Sequence, residues 1–371
     1  MKATHLALAM GAVLAATSAH GQDLVIGAAA PLSGPQAVFG ASWHNGIKIY
    51  FDEVNAAGGV KGRKVVLSQG DDKADPREGT LVAQRFCDNK AVVAVIGHFN
   101  SGVTIPSMDV YSDCGMPQVT LSSNPRITTL NFKQIFRPIA NDLRQGGLPA
   151  EYAAKTLNAK AAAIVHDKQA FGQGVSEVFS AEFTKHGGKI TSVSGVDPKD
   201  VDFTPLVTKL KTENVDVVYF GGVMPQIALM LKQMREQKLT AAFFTADGGY
   251  DTSFIDQAGE ANAQGALVSF QSPPYDSSPA LKSFADKYQK AFGQAPGPYS
   301  AYGYMMGAIV VEAMKAASAL ERKPIIDALR GTKMNTMLGP VEFDDKGEIK
   351  TAPIFLYRVK GKDFELVHKS G

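Results

Sequence analysis

Cysteine is scarce in this sequence, which contains only Cys87 and Cys114 among its 371 residues. Two cysteines allow one disulfide at most, and an oxidising compartment would permit it. Each cysteine is expected to end a helix beside neighbouring parallel strands. A bond between Cys87 and Cys114 and a pair of buried free thiols are therefore both open interpretations.

The sequence also lacks a strong excess of either charge. Its formal net charge is +2, and it falls to about +1 if the first residues, with Lys2, are removed. This balance excludes a general electrostatic attraction for nucleic acid or for an anionic membrane. The aromatic residues are not interleaved with a basic patch, so base stacking has no support either. We expect no nucleic-acid partner.

Long apolar runs are missing beyond the first residues of the chain. An apolar segment from Leu6 to Ala16 is followed by the small residues Thr17-Ser18-Ala19. This pattern predicts a secretory signal peptide over residues 1–21, with cleavage after Ala19 and after Gly21 both open. No later run reaches the about 20 apolar residues that a membrane span needs. We therefore expect an exported, soluble protein that does not span a membrane.

Motifs for catalysis and metal binding are missing as well. There is no Gly-x-Ser-x-Gly motif, and Gly58 to Lys64 (GGVKGRK) lacks the Lys-Ser/Thr ending of a phosphate loop. No histidine and cysteine pair has metal-ligand spacing. Asp71, Asp72 and Asp75 suggest a cation site, but Asp75 is explained as the N-cap of a helix that begins at Pro76. We expect no enzyme, no cofactor and no metal.

The stretch from Ala91 to Tyr111 shows how the chain is organised. It opens with the apolar run Val92 to Ile96, closed by Gly97, which is typical of a buried parallel strand. A short turn and a segment with helical potential follow. Strand and helix alternate in this way through two series, the second of which begins near Asn141. The sequence therefore predicts an α/β protein with two doubly wound parallel-sheet lobes.

The turn after this strand is a candidate ligand site. A strand that runs directly into a helix leaves backbone N–H groups unpaired at the carboxyl edge of the sheet, where the helix dipole favours an anion. Ser101 lies near the expected N-cap and adds a hydroxyl group. We hypothesise that this turn holds the carboxylate of a small zwitterion. The alternative is that Ser101 only caps its own helix.

Other candidates lie in loops at the carboxyl ends of strands, where parallel α/β sheets bind their ligands. Hydroxyl groups and one carboxylate alternate there with aromatic and aliphatic side chains. The residues are Phe39, His98 to Ser101, Ser122-Ser123-Asn124, Phe171, Val223, Asp247 and Tyr299. An amino acid needs such a set, because it requires donors for its carboxylate, an acceptor for its ammonium and an apolar wall. His98 itself is interpreted as a structural histidine.

Several motifs make the chain resemble the periplasmic leucine/isoleucine/valine-binding proteins of ABC transporters. They occur in order along essentially the whole chain beyond the signal segment. The motifs are Gly27 to Gly34 (GAAAPLSG), Asn55 to Gly62 (NAAGGVKG), Asp71-Asp72 with Asp75-Pro76, Val95 to Ser101 (VIGHFNS), Ile164 to Gly174 (IVHDKQAFGQG), Val218 to Gly222 (VYFGG) and Leu338 to Gly347.

The resemblance implies a type I periplasmic binding protein fold, in which the chain crosses three times between two lobes and forms a hinge. The first lobe would comprise residues 23–140 and 271–347. The second would comprise residues 141–270 and 348–371. The family's early cysteines match Ala74 and Asn100 here, so any bridge in this chain must join Cys87 to Cys114.

The resemblance also assigns roles to the polar candidates. Ser101 matches the family serine that binds the ligand carboxylate. Ser122 and Ser123 resemble the stretch whose backbone and hydroxyl groups hold both ends of the amino acid, and Ser123 stands where a threonine is usual. Asp247 falls at the ammonium-binding acid, which is usually a glutamate. Since aspartate is one methylene shorter, it would act through a water molecule or favour a shifted ligand.

The remaining candidates form the wall around the ligand side chain. Phe39, Phe171 and Tyr299 match aromatic pocket positions of the family, and Val223 replaces a common tyrosine, which leaves more room. The expected function is capture of an aliphatic, branched-chain L-amino acid and its delivery to ABC permease subunits by a periplasmic monomer. Two alternatives are a sensor of the same fold for a small amide, urea or carboxylate, and an exported hydrolase.

Overall fold

A computed structural model describes residues 22–370 of the chain. The signal peptide expected over residues 1–21 lies outside the described residues. No helix within residues 22–370 combines the length and the hydropathy that a membrane crossing requires.

The first lobe is built on a five-stranded, wholly parallel sheet. Its strands are β1 (Leu24–Ala30), β2 (Val65–Asp71), β3 (Val92–Ile96), β4 (Gln118–Val119) and β5 (Ile135–Phe136). They are arranged in the order β2-β1-β3-β4-β5. Every residue of β3 is buried, as its continuous apolar run predicts for a strand covered on both faces.

The second lobe is built on a seven-stranded mixed sheet. Its strands are β6 (Ala161–His166), β7 (Lys189–Gly195), β8 (Val217–Gly221), β9 (Ala242–Thr245), β10 (Leu267–Phe270), β13 (Ile354–Lys360) and β14 (Asp363–Ser370). The order is β14-β13-β10-β9-β8-β6-β7. Strands β6 to β10 pair in parallel, whereas β13 and β14 form an antiparallel edge.

Helices cover the faces of both sheets. Those of the first lobe are α1 (Ala37–Ala56), α2 (Pro76–Asp88), α3 (Ser101–Asp113), α4 (Arg126–Thr129), α11 (Pro279–Phe292), α12 (Ser300–Ala316) and α13 (Arg322–Arg330). Those of the second lobe are α5 (Asp142–Lys155), α6 (Ala170–Lys185), α7 (Thr204–Thr212), α8 (Gln226–Glu236), α9 (Thr252–Ala258) and α10 (Glu260–Ala263), with a 3-10 turn at Asp247–Gly249. A hairpin of β11 (Lys333–Thr336) and β12 (Gly339–Glu342) completes the described part.

The chain passes between the two lobes three times, after β5, after β10 and after β12. This connectivity confirms the predicted fold class, two parallel-sheet lobes joined by three crossing segments. Helices α1 and α12 pack closely because glycine is present at their contact: a Cβ atom at Gly303 would overlap the carbonyl group of Trp43. Phe39 near the start of α1 and Tyr299 at the N-cap of α12 both lie beside residues of the second lobe.

Cys87 and Cys114 form a disulfide between the carboxyl ends of α2 and α3, with their Cα atoms 5.8 Å apart. The guanidinium group of Arg322 donates hydrogen bonds to the carbonyl oxygens of both cysteines, at 3.0 and 3.1 Å. Helix α13 is thereby fixed to the same corner of the first lobe.

We expect loss of this disulfide to destabilise the protein, because the bond restricts the unfolded chain. It closes a segment with a sequence separation of 27 residues, for which chain entropy corresponds to about 3.5 kcal/mol. The measurement is urea denaturation of the wild type and of a Cys87→Ala/Cys114→Ala double variant. A reducing agent should lower the midpoint of the wild type only. Equal midpoints for the oxidised wild type and the double variant would contradict the expectation.

Candidate functional site

A small cavity of about 30 Å³ lies where the loops of the two lobes meet. Its walls come from both lobes. They are formed by Phe39, Phe99, Asn100, Ser101, Leu121, Ser123, Phe171, Val223, Asp247, Gly248 and Tyr299. Seven of the eight predicted ligand-binding residues are in this set, so the loops that were inferred from separate strand ends meet at one place.

Ser101 is the first residue of α3, and Asn100 occupies the N-cap position. Within residues 22–370, neither side chain forms a capping hydrogen bond to this helix. The Ser101 oxygen instead accepts a hydrogen bond from the Asn124 N–H, at 3.2 Å. This geometry does not match the alternative in which Ser101 only caps its own helix. The hydroxyl hydrogen of Ser101 can therefore be donated to a ligand that binds at the N-terminus of α3.

Ser122 and Ser123 differ in their surroundings. The Ser122 hydroxyl bonds to the Thr104 hydroxyl at 2.6 Å and to the Phe99 carbonyl at 3.0 Å, so it is used inside the first lobe. The predicted contact of Ser122 with the ligand is therefore not supported by its side chain. Ser123 lines the cavity.

Arg137 holds the same loop from behind. Its side chain is completely buried, and it donates to the carbonyl oxygens of Ser122, at 3.4 Å, and Asn124, at 2.6 Å. It also forms an ion pair with Glu348, which belongs to the third crossing. The loop that carries Ser123 is thus attached to the segments that connect the lobes.

His98 is a hydrogen-bonded core residue, as interpreted from the sequence. Its Nδ1 atom lies 2.7 Å from the Asp72 carboxylate, and its Nε2 atom lies 3.2 Å from the Tyr111 hydroxyl. Asp72 is thus the acid partner of His98. Both ring nitrogens are occupied within the first lobe, so His98 is not positioned to activate Ser101 as a nucleophile. Within residues 22–370, no group of three or more His, Cys, Asp or Glu side chains is arranged to hold a metal ion.

Aromatic rings form one wall of the cavity. The ring of Tyr299 meets those of Phe99 and Phe39 edge-on, with centroids 4.8 and 5.5 Å away. Phe39 is almost fully buried, so this wall is held in place by the packing of α1 and α12. Phe171 and Val223 extend the apolar surface from the second lobe. Together these side chains give the cavity an apolar wall.

Asp247 supplies the acid of the cavity and follows β9. It is partly buried, and its Oδ2 atom accepts a hydrogen bond from the Gln271 side chain at 3.0 Å. Burial raises the pKa of Asp247 to about 6, although the Gln271 hydrogen bond opposes the shift. Asp247 makes no salt bridge among residues 22–370, so a cation from outside the chain would stabilise its ionised form.

Hydrogen bonds cross the cleft beside the cavity. The Asn124 side chain donates to the Ala170 carbonyl at 2.8 Å, and the Tyr299 hydroxyl donates to the Asp247 carbonyl at 3.1 Å. Each bond joins a residue of the first lobe to a residue of the second. The lobes are therefore in contact around the cavity.

The sequence prediction missed some residues near the site. Leu121 and Gly248 line the cavity, and Asp142, Gln145 and Gln271 lie around Asp247. Leu121 and Gly248 are direct neighbours of predicted positions, so sequence adjacency was a usable signal for them. Asp142 and Gln145 belong to the first turn of α5, which follows a crossing segment rather than a strand.

A family model described as "Periplasmic binding protein" matches residues 23–364 of the chain. The chain belongs to the periplasmic binding protein family. An amino acid binding protein of Pseudomonas aeruginosa is 34% identical over 365 residues, covering 97% of each chain. A Leu/Ile/Val-binding protein homologue of Brucella abortus is 34% identical over 362 residues, covering 96% of each.

A solved structure supports the same family assignment for this binding protein. The leucine-binding protein of Thermotoga maritima superimposes with a TM-score of 0.87 at 27% identity, over 93% of this chain and 98% of that one. The predicted resemblance and the predicted type I fold are thereby confirmed. The relatives are named as binding proteins, and the prediction that the chain is not an enzyme agrees with them.

Proposed function

We propose that this protein captures an aliphatic, branched-chain L-amino acid between its lobes and delivers it to the permease subunits of an ABC transporter. The observation that carries the proposal is the composition of the cavity. Ser101 at a helix N-terminus and Asp247 in the other lobe offer opposite polarity to one small guest. The names of the relatives from Pseudomonas and Brucella support an amino acid.

The two polar groups suit the two ends of a zwitterion. A buried charge is costly unless it is paired or hydrogen-bonded. The Ser101 hydroxyl and the free N–H groups of the first turn of α3 would bind the carboxylate, and Asp247 with the Ser123 hydroxyl would bind the ammonium. Burial of a leucine-sized side chain against Phe39 and Tyr299 would contribute about 1.5–3 kcal/mol.

The lobe boundaries are part of the proposal. We assign residues 23–140 and 271–347 to the first lobe, and residues 141–270 and 348–371 to the second. Three crossing segments act as the hinge, and the lobes close around the ligand. The cross-cleft bonds from Asn124 and Tyr299 support a closed arrangement of this kind.

Export and partner are inferred from the family and the sequence together. The apolar segment before residue 22 would direct the chain to the periplasm, where it acts as a monomer. Closure presents both lobes together to the permease subunits. A sensor for a small amide, urea or carboxylate is the alternative that the same fold permits.

A thermal-shift screen tests the proposal. The ligands are the twenty amino acids. Small amides, urea and simple carboxylates are tested in parallel, because they are the ligands of the alternative function. We expect leucine, isoleucine and valine to raise the melting temperature. Because one methylene changes affinity by only about 10–200-fold, neighbouring aliphatic amino acids should share the site. Stabilisation by amides or simple carboxylates, with no effect of any amino acid, would contradict it.

Replacing Ser101 with alanine should weaken leucine binding by about tenfold or more, because a hydrogen bond to a charged group contributes about 1.5–3 kcal/mol. Calorimetry provides the affinity. Ser107→Ala is the matched control, since Ser107 is a buried serine of the same helix that bonds only to the Val103 carbonyl within residues 22–370. A Ser101→Ala variant with a much lower melting temperature and unchanged affinity would show that Ser101 has a structural role only.

A further inference from the structure

Asp142 is a second buried acid beside the cavity, and no prediction from the sequence included it. It is the first residue of α5, directly after the first crossing between the lobes, and its side chain is fully buried. Its backbone N–H donates to the Ser123 carbonyl at 3.0 Å. Asp142 therefore lies at the point where the second lobe meets the loop that lines the cavity.

The carboxylate of Asp142 has unused hydrogen-bonding capacity. Its Oδ1 atom accepts a bond from the Gln145 side chain at 3.3 Å, and Oδ2 has no hydrogen-bond partner among residues 22–370. Gln145 also accepts a bond from the Asp247 N–H at 3.3 Å. The two acids are thus joined through one glutamine. A buried carboxylate oxygen without a partner is unusual and calls for a functional explanation.

The hydroxyl of Ser123 connects Asp142 to the cavity. It lies close enough to the Asp142 carboxyl to lower the pKa of that group, against the larger effect of burial. The Asp142 N–H bond to the Ser123 carbonyl holds the two residues side by side. A hydroxyl can accept a hydrogen bond from an ammonium only if its own hydrogen points elsewhere. The Asp142 carboxylate is an acceptor for that hydrogen, so it can orient the lone pairs of Ser123 towards a ligand cation.

Among residues 22–370, no Lys, Arg or His side chain forms a salt bridge with the Asp142 carboxyl. Arg137 is the nearby positive group, but its guanidinium is already paired with Glu348. The other titratable groups that face Asp142 are Asp247 and the Tyr219 hydroxyl of β8. Helix α6 brings Gly174 towards it, and β10 brings Ser269, which bonds to the Gln145 carbonyl. Burial raises the pKa of Asp142 to about 7.

We propose that Asp142 is a positioning residue for the ligand ammonium. Its carboxylate accepts a hydrogen bond from the Ser123 hydroxyl and, together with Asp247, balances the charge of the ammonium. When the ligand binds, the protonated Asp142 carboxyl releases its proton to the solvent. The inference rests on the proposed function, because it requires a ligand with an ammonium group. Asp142 would thereby connect the ligand ammonium to the first crossing segment.

The charges in the site determine whether ligand binding releases protons or takes them up. Below neutral pH, the buried acids of the empty site are partly protonated, since burial favours their neutral forms. A buried ammonium nearby favours the ionised forms, so binding must expel protons from the site. Binding should release up to about one proton at pH 6.5 and almost none at pH 8.5, and the affinity should rise as the pH increases from 5 to 8.

The experiment is titration calorimetry with leucine in buffers of different ionisation enthalpy, at pH 6.5 and 8.5. The variants are the wild type, Asp142→Asn and the control Asp167→Asn. Asp167 is another buried acid of the second lobe, with a pKa that burial raises to about 6. We expect Asp142→Asn to release less than half of the wild-type protons at pH 6.5 and to bind about tenfold more weakly at pH 8.5. Asp167→Asn should release as many protons as the wild type.

A double-variant cycle with Ser123→Ala tests the connection itself. If Asp142 acts through Ser123, the Asp142→Asn/Ser123→Ala protein should bind no more than about twofold more weakly than the poorer single variant. Additive losses would overturn the inference. Leucine binding to the wild type without proton release at pH 6.5 would also overturn the inference, and this result does not depend on the folding of any variant. A wild type that binds no amino acid would overturn the proposed function as well, so the two failures can be told apart.

Discussion

Replacing Asp247 with asparagine is expected to weaken leucine binding at least about tenfold, because a buried ammonium without its partner costs about 1.5–3 kcal/mol or more. The fold should remain intact. Burial raises the pKa of Asp247 to about 6, so the ionised carboxylate destabilises the empty protein as the pH rises from about 4 towards 6. Removing that charge should therefore leave the melting temperature of the ligand-free protein at pH 8 unchanged or higher.

The measurement is calorimetry with leucine beside a thermal melt of the same sample. Asp251→Asn is a matched control, since Asp251 lies four positions further along the same loop and caps α9 through its bond to the Ser253 N–H. Asparagine caps a helix about as well as aspartate. Unchanged affinity in Asp247→Asn would remove Asp247 from the binding site, whatever the melt shows.

Arg137→Met should have the largest effect on stability, with a loss of about 3–5 kcal/mol, the typical cost of removing one partner of a buried ion pair. The change leaves the largely buried Glu348 carboxylate unpaired and removes the donors to the Ser122 and Asn124 carbonyls. We expect leucine affinity to fall as well, because these bonds fix the loop that carries Ser123. Urea denaturation measures the free energy of unfolding.

The surface pair of Arg358 and Glu365 provides the control for Arg137. Both side chains are substantially exposed, at 48% and 34%, so Arg358→Met should cost less than about 1 kcal/mol. A double Arg137→Met/Glu348→Leu variant should recover part of the stability, since the unpaired charge is then removed. Equal small losses for Arg137→Met and Arg358→Met would show that the buried pair does not hold the crossing segments together.

The fold was predictable where a strand is a continuous apolar run or a helix has a strong cap. Strand β3 and helix α2, with its Asp75 cap, are examples. Strand β5 was missed because it contains only two residues, too few to show a period. Helix α13 (RKPIIDALR) was also missed, because it is short and its N-cap residue, Glu321, forms no capping hydrogen bond within residues 22–370.

The site was predictable to the extent that its residues follow strands. Ser101, Ser123, Val223 and Asp247 each come after a strand of a parallel sheet, and the fold places such loops at one edge. The separate surroundings of Ser122 and Ser123 could not be read from sequence, because they depend on which side of the loop each hydroxyl faces. Asp142 escaped notice for a different reason: its role depends on how the first crossing brings α5 against the first lobe.

The most direct test of a site for both ends of an amino acid compares leucine with two analogues that each lack one charged group. The carboxylate without the amino group is 4-methylpentanoate, and the amine without the carboxylate is 3-methylbutylamine. Calorimetry at pH 7.5 should show leucine binding, with each analogue at least about a hundredfold weaker, because either one leaves a buried polar group unpaired. Binding of either analogue as tight as that of leucine would contradict a site that neutralises both ends of an amino acid.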